Sequence, residues 1–245
     1  MIRHLLVIGA QRCGTTYLQT LLDGHPEITM ARPARPEPKV FCSAQASDRG
    51  ARWYRETYFN HATSERVLGE KSTSYLEDGA AAPRAAKMLG EAHIVAVLRD
   101  PVQRAVSNWR FSTQHGLEKR PLETALRDNV TQQAPWDPAL TSVSPFAYLD
   151  RGRYMDYLAP WMAAFPDTTH VVFLRELNEE NTALEHLWRA LGVDSGAASG
   201  RLSRAVNQSE GSSPALSREL SGTLESYFEA SNRALSAYLG RNLPW

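Results

Sequence analysis

Three short apolar runs without alternation punctuate the chain: Leu5-Leu6-Val7-Ile8, His93 to Leu98 and Val171 to Leu174. Each is followed by residues recurring at helical spacing. After a turn from Gly9 to Gly14 come Tyr17, Leu18, Leu21 and Leu22 on one face, with Gly24 placed to end the helix. After the second run, Asp100 is an N-cap and Pro101 a first helical residue, ahead of a stripe of Val102, Ala105, Val106 and Trp109. After the third, the stripe is Leu184, Leu187, Trp188 and Leu191. Val67-Leu68-Gly69-Glu70 adds a shorter strand, and a last helix is expected over roughly Ala215 to Tyr238, with Leu220, Leu224, Tyr227, Phe228 and Leu235. Strands that are apolar throughout, alternating with amphipathic helices, predict a parallel sheet covered on both faces, so the class is α/β.

Two stretches break this rhythm. Residues 31–38 hold Pro33, Pro36 and Pro38, and residues 131–147 hold Pro135, Pro138 and Pro145 with little periodicity. Loops of that kind in a compact domain are commonly lids or binding loops. No repeat, low-complexity tract or composition shift marks a linker, so residues 1–245 are expected to form a single domain.

Composition narrows the function. The chain has 245 residues, 42% hydrophobic and 22% charged, with 27 basic and 27 acidic side chains, so its totals lack both the positive excess of a nucleic-acid binder and the imbalance of a disordered chain. Cys13 and Cys42 are too few for a disulfide framework and have no CxxC spacing for zinc. No apolar run approaches the roughly 18 to 20 residues that cross a bilayer. The start, Met1-Ile2-Arg3-His4, leads directly into a strand, without the apolar region and cleavage site of a leader. A cytoplasmic protein with no membrane span is therefore expected.

Gly9-Ala10-Gln11-Arg12-Cys13-Gly14-Thr15-Thr16 lies between a strand and a helix. There, backbone N–H groups and the positive end of the helix make an anion site. The spacing is that of the nucleotide P-loop GxxxxGK[ST], except that Thr15 stands where the lysine belongs. That lysine reaches the β and γ phosphates of a nucleoside triphosphate, so its absence argues against ATP or GTP hydrolysis; Arg12 supplies charge from inside the loop. A plain glycine turn packing strand on helix is the alternative. At the end of the second strand, Arg99 occupies the place where open α/β sheets bind ligands, and Ser107 follows two helical turns later. A guanidinium donates two bonds to one phosphate, which suits Arg99 to a second anion, although pairing with a helix carboxylate fits it equally.

These residues resemble a known family. The loop Gly9 to Thr16, the segment Glu70-Lys71-Ser72-Thr73-Ser74-Tyr75, the run Leu98-Arg99-Asp100-Pro101 through Ser107, and Gly152-Arg153-Tyr154 ahead of Trp161 and Phe165-Pro166 look like sulfotransferases that use 3′-phosphoadenosine 5′-phosphosulfate (PAPS). The branch most resembled holds bacterial sulfotransferases and heparan sulfate sulfotransferase domains. The resemblance implies a P-loop NTPase-like three-layer fold with a central parallel sheet flanked by helices. It also implies PAPS as co-substrate and adenosine 3′,5′-bisphosphate (PAP) as product. Arg12, Cys13, Gly14, Thr15 and Thr16 match the loop that binds the 5′-phosphosulfate, with the Cys13 backbone N–H expected to matter more than its sulfur. Many relatives have lysine where Arg12 stands; an arginine stabilises the leaving charge but is a poor proton donor. Arg99 and Ser107 match the 3′-phosphate site, Tyr154 of the matching Gly-Arg-Tyr segment is expected among the cofactor-binding residues, and Asn207, in the loop Asn207 to Gly211, is assigned to adenosine by position only.

The resemblance also supplies a base. The heparan-type branch uses a glutamate in a Glu-x-x-Phe-Phe segment, matched here by Glu37-Pro38-Lys39-Val40-Phe41, so Glu37 is the candidate for in-line transfer to a hydroxyl or amine. A positioned general base contributes about 10²- to 10⁴-fold. Lys71 is expected to orient Glu37, hold the acceptor or stabilise the leaving group; a surface lysine paired with Glu70 is the alternative. Among the histidines, His115, eight residues after Ser107, is the alternative base, and His25 reads as a helix-end residue. No HExxH or calcium loop is present, so no metal is expected. The acceptor, a small molecule such as a secondary metabolite, a lipid or a saccharide, is not named by the sequence. The balanced charge favours a smaller one over a long sulfated polysaccharide. Competing functions are a small-molecule kinase and a non-catalytic nucleotide-binding protein.

Overall fold

The computed structural model describes residues 2–137, 139, 141, 143–179, 182–196 and 216–245. The strands are β1 (Arg3–Gly9), β2 (Ile28–Met30), β3 (Val67–Lys71), β4 (His93–Leu98) and β5 (Thr169–Phe173). The helices are α1 (Thr15–Asp23), α2 (Ala44–Ser47), α3 (Gly50–Tyr58), α4 (Ala81–Leu89), α5 (Pro101–Gln114), α6 (Leu122–Thr131), α7 (Tyr154–Ala164), α8 (Leu174–Glu179), α9 (Thr182–Leu191) and α10 (Arg218–Leu239). The chain divides into two compact units, residues 1–98 with 157–207, and residues 99–156 with 208–245.

The first unit holds one parallel sheet in the order β2-β3-β1-β4-β5. With its flanking helices it is the expected α/β, P-loop NTPase-like fold. The sheet's central strands are buried along nearly their whole length, which is why they read as unbroken apolar runs. Val7 stands opposite Lys71, and Ser72 N–H donates to Val7 O at 3.1 Å, so β1 and β3 end side by side. On the other side, the pairing with β4 slips between Val7 and Gly9, and Ala10 N–H takes Val97 O at 2.8 Å as the chain leaves the sheet. The carboxyl ends of neighbouring parallel strands thus meet where ligands bind in this architecture.

Several boundaries differ from the sequence reading. The last strand ends at Phe173, and Leu174 begins α8. The strand expected at residues 67–70 includes Lys71. The edge strand β2 and helices α3, α4 and α6 had no counterpart in the sequence reading. A three-residue strand is too short to show a period, and α4 contains Pro83 in its first turn. Helix α10 begins at Arg218 behind Ser217, whose side chain accepts from Leu220 N–H.

The second unit has its own core, in which Ala105 and Val106 of α5, Leu126 of α6, Tyr148, and Leu224 and Phe228 of α10 are buried together. Arg104 is fully buried there and donates to Asn108 Oδ1 at 3.1 Å, Ala147 O at 3.2 Å and Tyr148 O. A guanidinium is tolerated in such a place because several acceptors face its donors. Among the described residues, no helix is long and apolar enough to cross a membrane.

Candidate active site

The loop after β1 is shaped by two left-handed residues, Arg12 with φ 68° and Gly14 with φ 86°. Gly14 is the N-cap of α1; its left-handed conformation favours glycine, and a Cβ there would sit 2.5 Å from Leu174 Cδ1 and have to displace the end of that side chain. No side chain caps α1, which leaves the first amides of the helix, at Thr15 and Thr16, without intrahelical partners. Such an end, with its positive dipole, accepts an anion. Thr15 is buried, Thr16 half-buried, and Arg12 half-buried within the loop. Cys13 is buried; its N–H donates to Ala10 O at 3.2 Å and its thiol approaches Gln11 O at 3.7 Å. Its amide thus helps to close the turn.

Glu37 and Lys71 come together. Lys71 Nζ donates to Glu37 Oε1 at 2.6 Å, and Thr73 contributes its N–H at 2.9 Å and its hydroxyl at 3.1 Å to Glu37 Oε2. The side chains are 7% and 18% exposed for Lys71 and Glu37, so this pair is largely withdrawn from water yet still reachable. Lys71 is therefore not the surface lysine paired with Glu70 that the sequence left open. Successive residues of a strand point to opposite faces, and Glu70 is buried on the other side, accepting from Tyr54, Ser72 and Tyr75. Burial pushes the Glu70 carboxyl above its ordinary range, against the three hydroxyl donors that favour its charge. The role of Thr73, which grips the candidate base with two donors, was not apparent from the sequence.

A cleft of about 430 Å³ runs along α1 from Thr16 through Gln19 and Thr20 to Asp23 and Gly24, and is lined on its other side by Arg32 and Arg35 of the proline-rich segment that leads to Glu37. Arg32 is tied to Asp23 at 2.5 Å. The Cys42 thiol, next to that segment, is pushed up to about 12 by burial and by Asp78, so it is an unreactive thiol.

In the second unit, Arg99 precedes the N-cap Asp100, whose carboxylate accepts from Gln103 N–H at 2.8 Å. Tyr154 is buried and its hydroxyl donates to Arg99 O at 2.8 Å, which fixes the Arg99 backbone. Two residues before Tyr154, Gly152 packs so closely that a Cβ would meet Phe228 Cε1 at 2.7 Å and Pro101 Cβ at 2.9 Å, which accounts for the glycine of the Gly-Arg-Tyr segment. Ser107 is buried on α5. His115 is exposed just past the end of that helix, with Nδ1 2.8 Å from Phe111 O. His25 is a helix-end residue as expected: Glu27 N–H donates to its Nδ1, so its Nε2–H donates to Asp194 O at 2.9 Å. Asn207 lies outside the described residues.

Known proteins share parts of this sequence and its fold. A family model described as "Sulfotransferase domain" matches residues 3–175. The bifunctional heparan sulfate N-deacetylase/N-sulfotransferase 1 of Caenorhabditis briggsae is 30% identical over 171 residues, 66% of this chain and 19% of that protein. The membrane-associated sulfotransferase kil1 of Dictyostelium discoideum is 34% identical over 113 residues, 45% of this chain and 23% of that protein. The chain spans about a fifth of the length of these relatives. A sulfotransferase crystal structure from Alicyclobacillus acidocaldarius is similar with TM-score 0.76 at 20% identity, over 99% of this chain and 98% of that one. At that identity the likeness speaks for the fold.

Proposed function

We propose that this chain, which belongs to the sulfotransferase domain family, moves the sulfuryl group of PAPS to a hydroxyl or amine of a small-molecule or saccharide acceptor and releases PAP. The observation that carries the reading is the Glu37 carboxylate, aimed by Lys71 and Thr73 beside the ends of β3 and β1 and at the end of the segment lining the cleft. A carboxylate has about four lone-pair directions, so one remains for an acceptor proton after these bonds are made.

In this reading Glu37 takes the proton of the acceptor hydroxyl as its oxygen bonds to sulfur, and the bond from sulfur to the 5′-phosphate oxygen breaks in line. Arg12 and the first amides of α1 meet the charge that gathers on that oxygen. The uncapped helix and the crowding at Gly14 suit the loop to an anion held by backbone groups. Lys71, because it holds Glu37, adds positive charge on the acceptor side. Arg99 and Ser107 are assigned to the 3′-phosphate on the family resemblance, with Tyr154 fixing the backbone of Arg99. No metal is assigned to the reaction. The cleft lined by Thr16, Arg32 and Arg35 is of a size for a compact acceptor.

The test is an acceptor screen with PAPS, read as the mass gain of one sulfuryl group, run with the wild type and with Glu37→Gln. The expected loss in turnover is at least about a hundredfold, with PAP binding retained. If Glu37→Gln keeps full turnover, the base is elsewhere and His115→Asn is the next variant.

A further inference from the structure

The buried carboxylate of Glu70 is not used by the reaction, yet it lies on two hydrogen-bond relays that end on the backbone carrying Glu37. Lys39 N–H donates to Ser72 Oγ at 2.9 Å, and that hydroxyl donates to Glu70 Oε1 at 2.6 Å. Phe41 N–H donates to the Tyr75 hydroxyl at 3.3 Å, which donates to Glu70 Oε1 at 2.6 Å. A third hydroxyl, from Tyr54, donates to Oε2 at 2.5 Å but makes no such link to residues 37–41. Both relays run in the same direction, amide to hydroxyl to carboxylate. A hydroxyl that accepts from an amide is left to donate its one proton, and Glu70 Oε1, with two lone pairs, accepts from both such hydroxyls at once.

Fully buried polar groups are costly unless every partner is in place, so a satisfied network of this kind fixes one arrangement of the chain. Here it is built around residues 37–39, which lie in no helix or strand, and the single 3-10 turn Val40–Cys42 that follows them. Lys39 is left-handed at φ 51°, and Arg84 adds a bond from its guanidinium to Phe41 O at 3.1 Å. Glu37 lies two residues before Lys39, so its reach toward Lys71 and Thr73 depends on where that backbone is held.

We propose that Glu70 is a positioning residue for the transfer reaction: through Ser72 and Tyr75 it anchors the Lys39 and Phe41 amides and thereby sets the aim of Glu37. This rests on the reading of Glu37 as the base. The strand puts the two requirements on opposite faces of one dipeptide, with Lys71 holding the carboxylate of Glu37 and Glu70 holding the backbone beyond it.

Three isosteric variants of the full chain separate positioning from mere support: Ser72→Ala, Tyr75→Phe and Tyr54→Phe. Each removes one hydroxyl from Glu70, but only the first two cut a relay. Expected are a fall in kcat of about tenfold or more for Ser72→Ala and Tyr75→Phe, with KM for PAPS within about twofold, and little change in either constant for Tyr54→Phe; misplacement of about 1 Å has effects of that order or larger. Amide hydrogen exchange supplies a readout independent of turnover: Lys39 should exchange faster in Ser72→Ala and Phe41 in Tyr75→Phe. Equal losses of kcat in all three, or unchanged kcat in the two relay variants, overturn the proposal. If the wild type transfers no sulfuryl group to any acceptor, the functional reading fails on its own, and unchanged exchange at both amides overturns the anchoring while faster exchange upholds it.

Discussion

Glu70 and Lys71 are chain neighbours that serve opposite faces of β3, Glu70 within a ring of three hydroxyls and Lys71 on the carboxylate of Glu37 at 2.6 Å. Lys71 is buried, so its ammonium is partnered by Glu37 in place of bulk water. Lys71→Met keeps the length of the apolar stem and removes the charge. Thr73 still holds Glu37 by two donors, so Glu37 is loosened and not lost. Turnover should fall by about tenfold to a hundredfold, less than for Glu37→Gln, with KM for PAPS little changed. Steady-state kinetics on the two variants measure this ordering, and a Lys71→Met enzyme at wild-type kcat contradicts the pairing's role.

The nucleotide assignment makes a separate demand. If Arg99 and Ser107 hold a 3′-phosphate, PAP binds far more tightly than AMP, because a charge-assisted fork to phosphate is among the stronger polar contacts available. Calorimetry should give at least about a hundredfold difference between the two ligands, a gap of about 2.7 kcal/mol. Arg99→Ala should remove most of that difference while leaving AMP affinity nearly unchanged. Equal affinities of the wild type for PAP and AMP remove the assignment.

The strands were legible because burial on both sides of a parallel sheet makes β1 and β4 continuously apolar, and the helices because their stripes face a core. The edge strand β2 was not legible, since three residues carry no period. In the site, the loop from Gly9 to Thr16 was readable from its place between strand and helix. Glu37 was singled out only by resemblance to a segment pattern, and nothing in its proline-rich surroundings distinguished it from a solvated glutamate. The alternative pairing of Lys71 with Glu70 was open to exclusion from the sequence, because adjacent strand residues face opposite ways. Thr73 and the relays of Glu70 were hidden, since they depend on backbone amides whose direction follows from the folded chain alone.

Gly14 joins fold and function at one backbone position. Its φ of 86° is unfavourable for any residue with a Cβ, by roughly 1–2 kcal/mol, and the added atom meets Leu174 Cδ1 at 2.5 Å. The leucine end is flexible enough to shift, so Gly14→Ala should fold with a stability loss of about 1–3 kcal/mol. The opening of α1 moves with it, and PAP binding should weaken more than tenfold. Denaturant titration and calorimetry on the same variant check both halves; unchanged PAP affinity means that this helix end does not hold the phosphate.

His4 gives the protein a pH dependence whose sign follows from burial. It lies in β1, 7% exposed, with a ring nitrogen, Nδ1, that has no hydrogen-bond partner. Desolvation first, and then the nearby charge of Arg55, lower its pKa from 6.5 to about 4. The unfolded chain therefore binds the proton at higher pH than the folded one. Stability is retained above about 6.5 and lost as pH falls from 6.5 toward 4, with up to about 3 kcal/mol at stake from this one residue. His93 and His170, stacked at 5.5 Å on β4 and β5, are both lowered by burial and act in the same direction. Urea denaturation at pH 7.5 and 4.5 should show a marked drop for the wild type. His4→Leu, which cannot be protonated, should show a smaller drop, with the remainder left to His93 and His170. An identical pH response in the two proteins means that His4 is already charged in the folded state, which its buried and unpartnered nitrogen argues against.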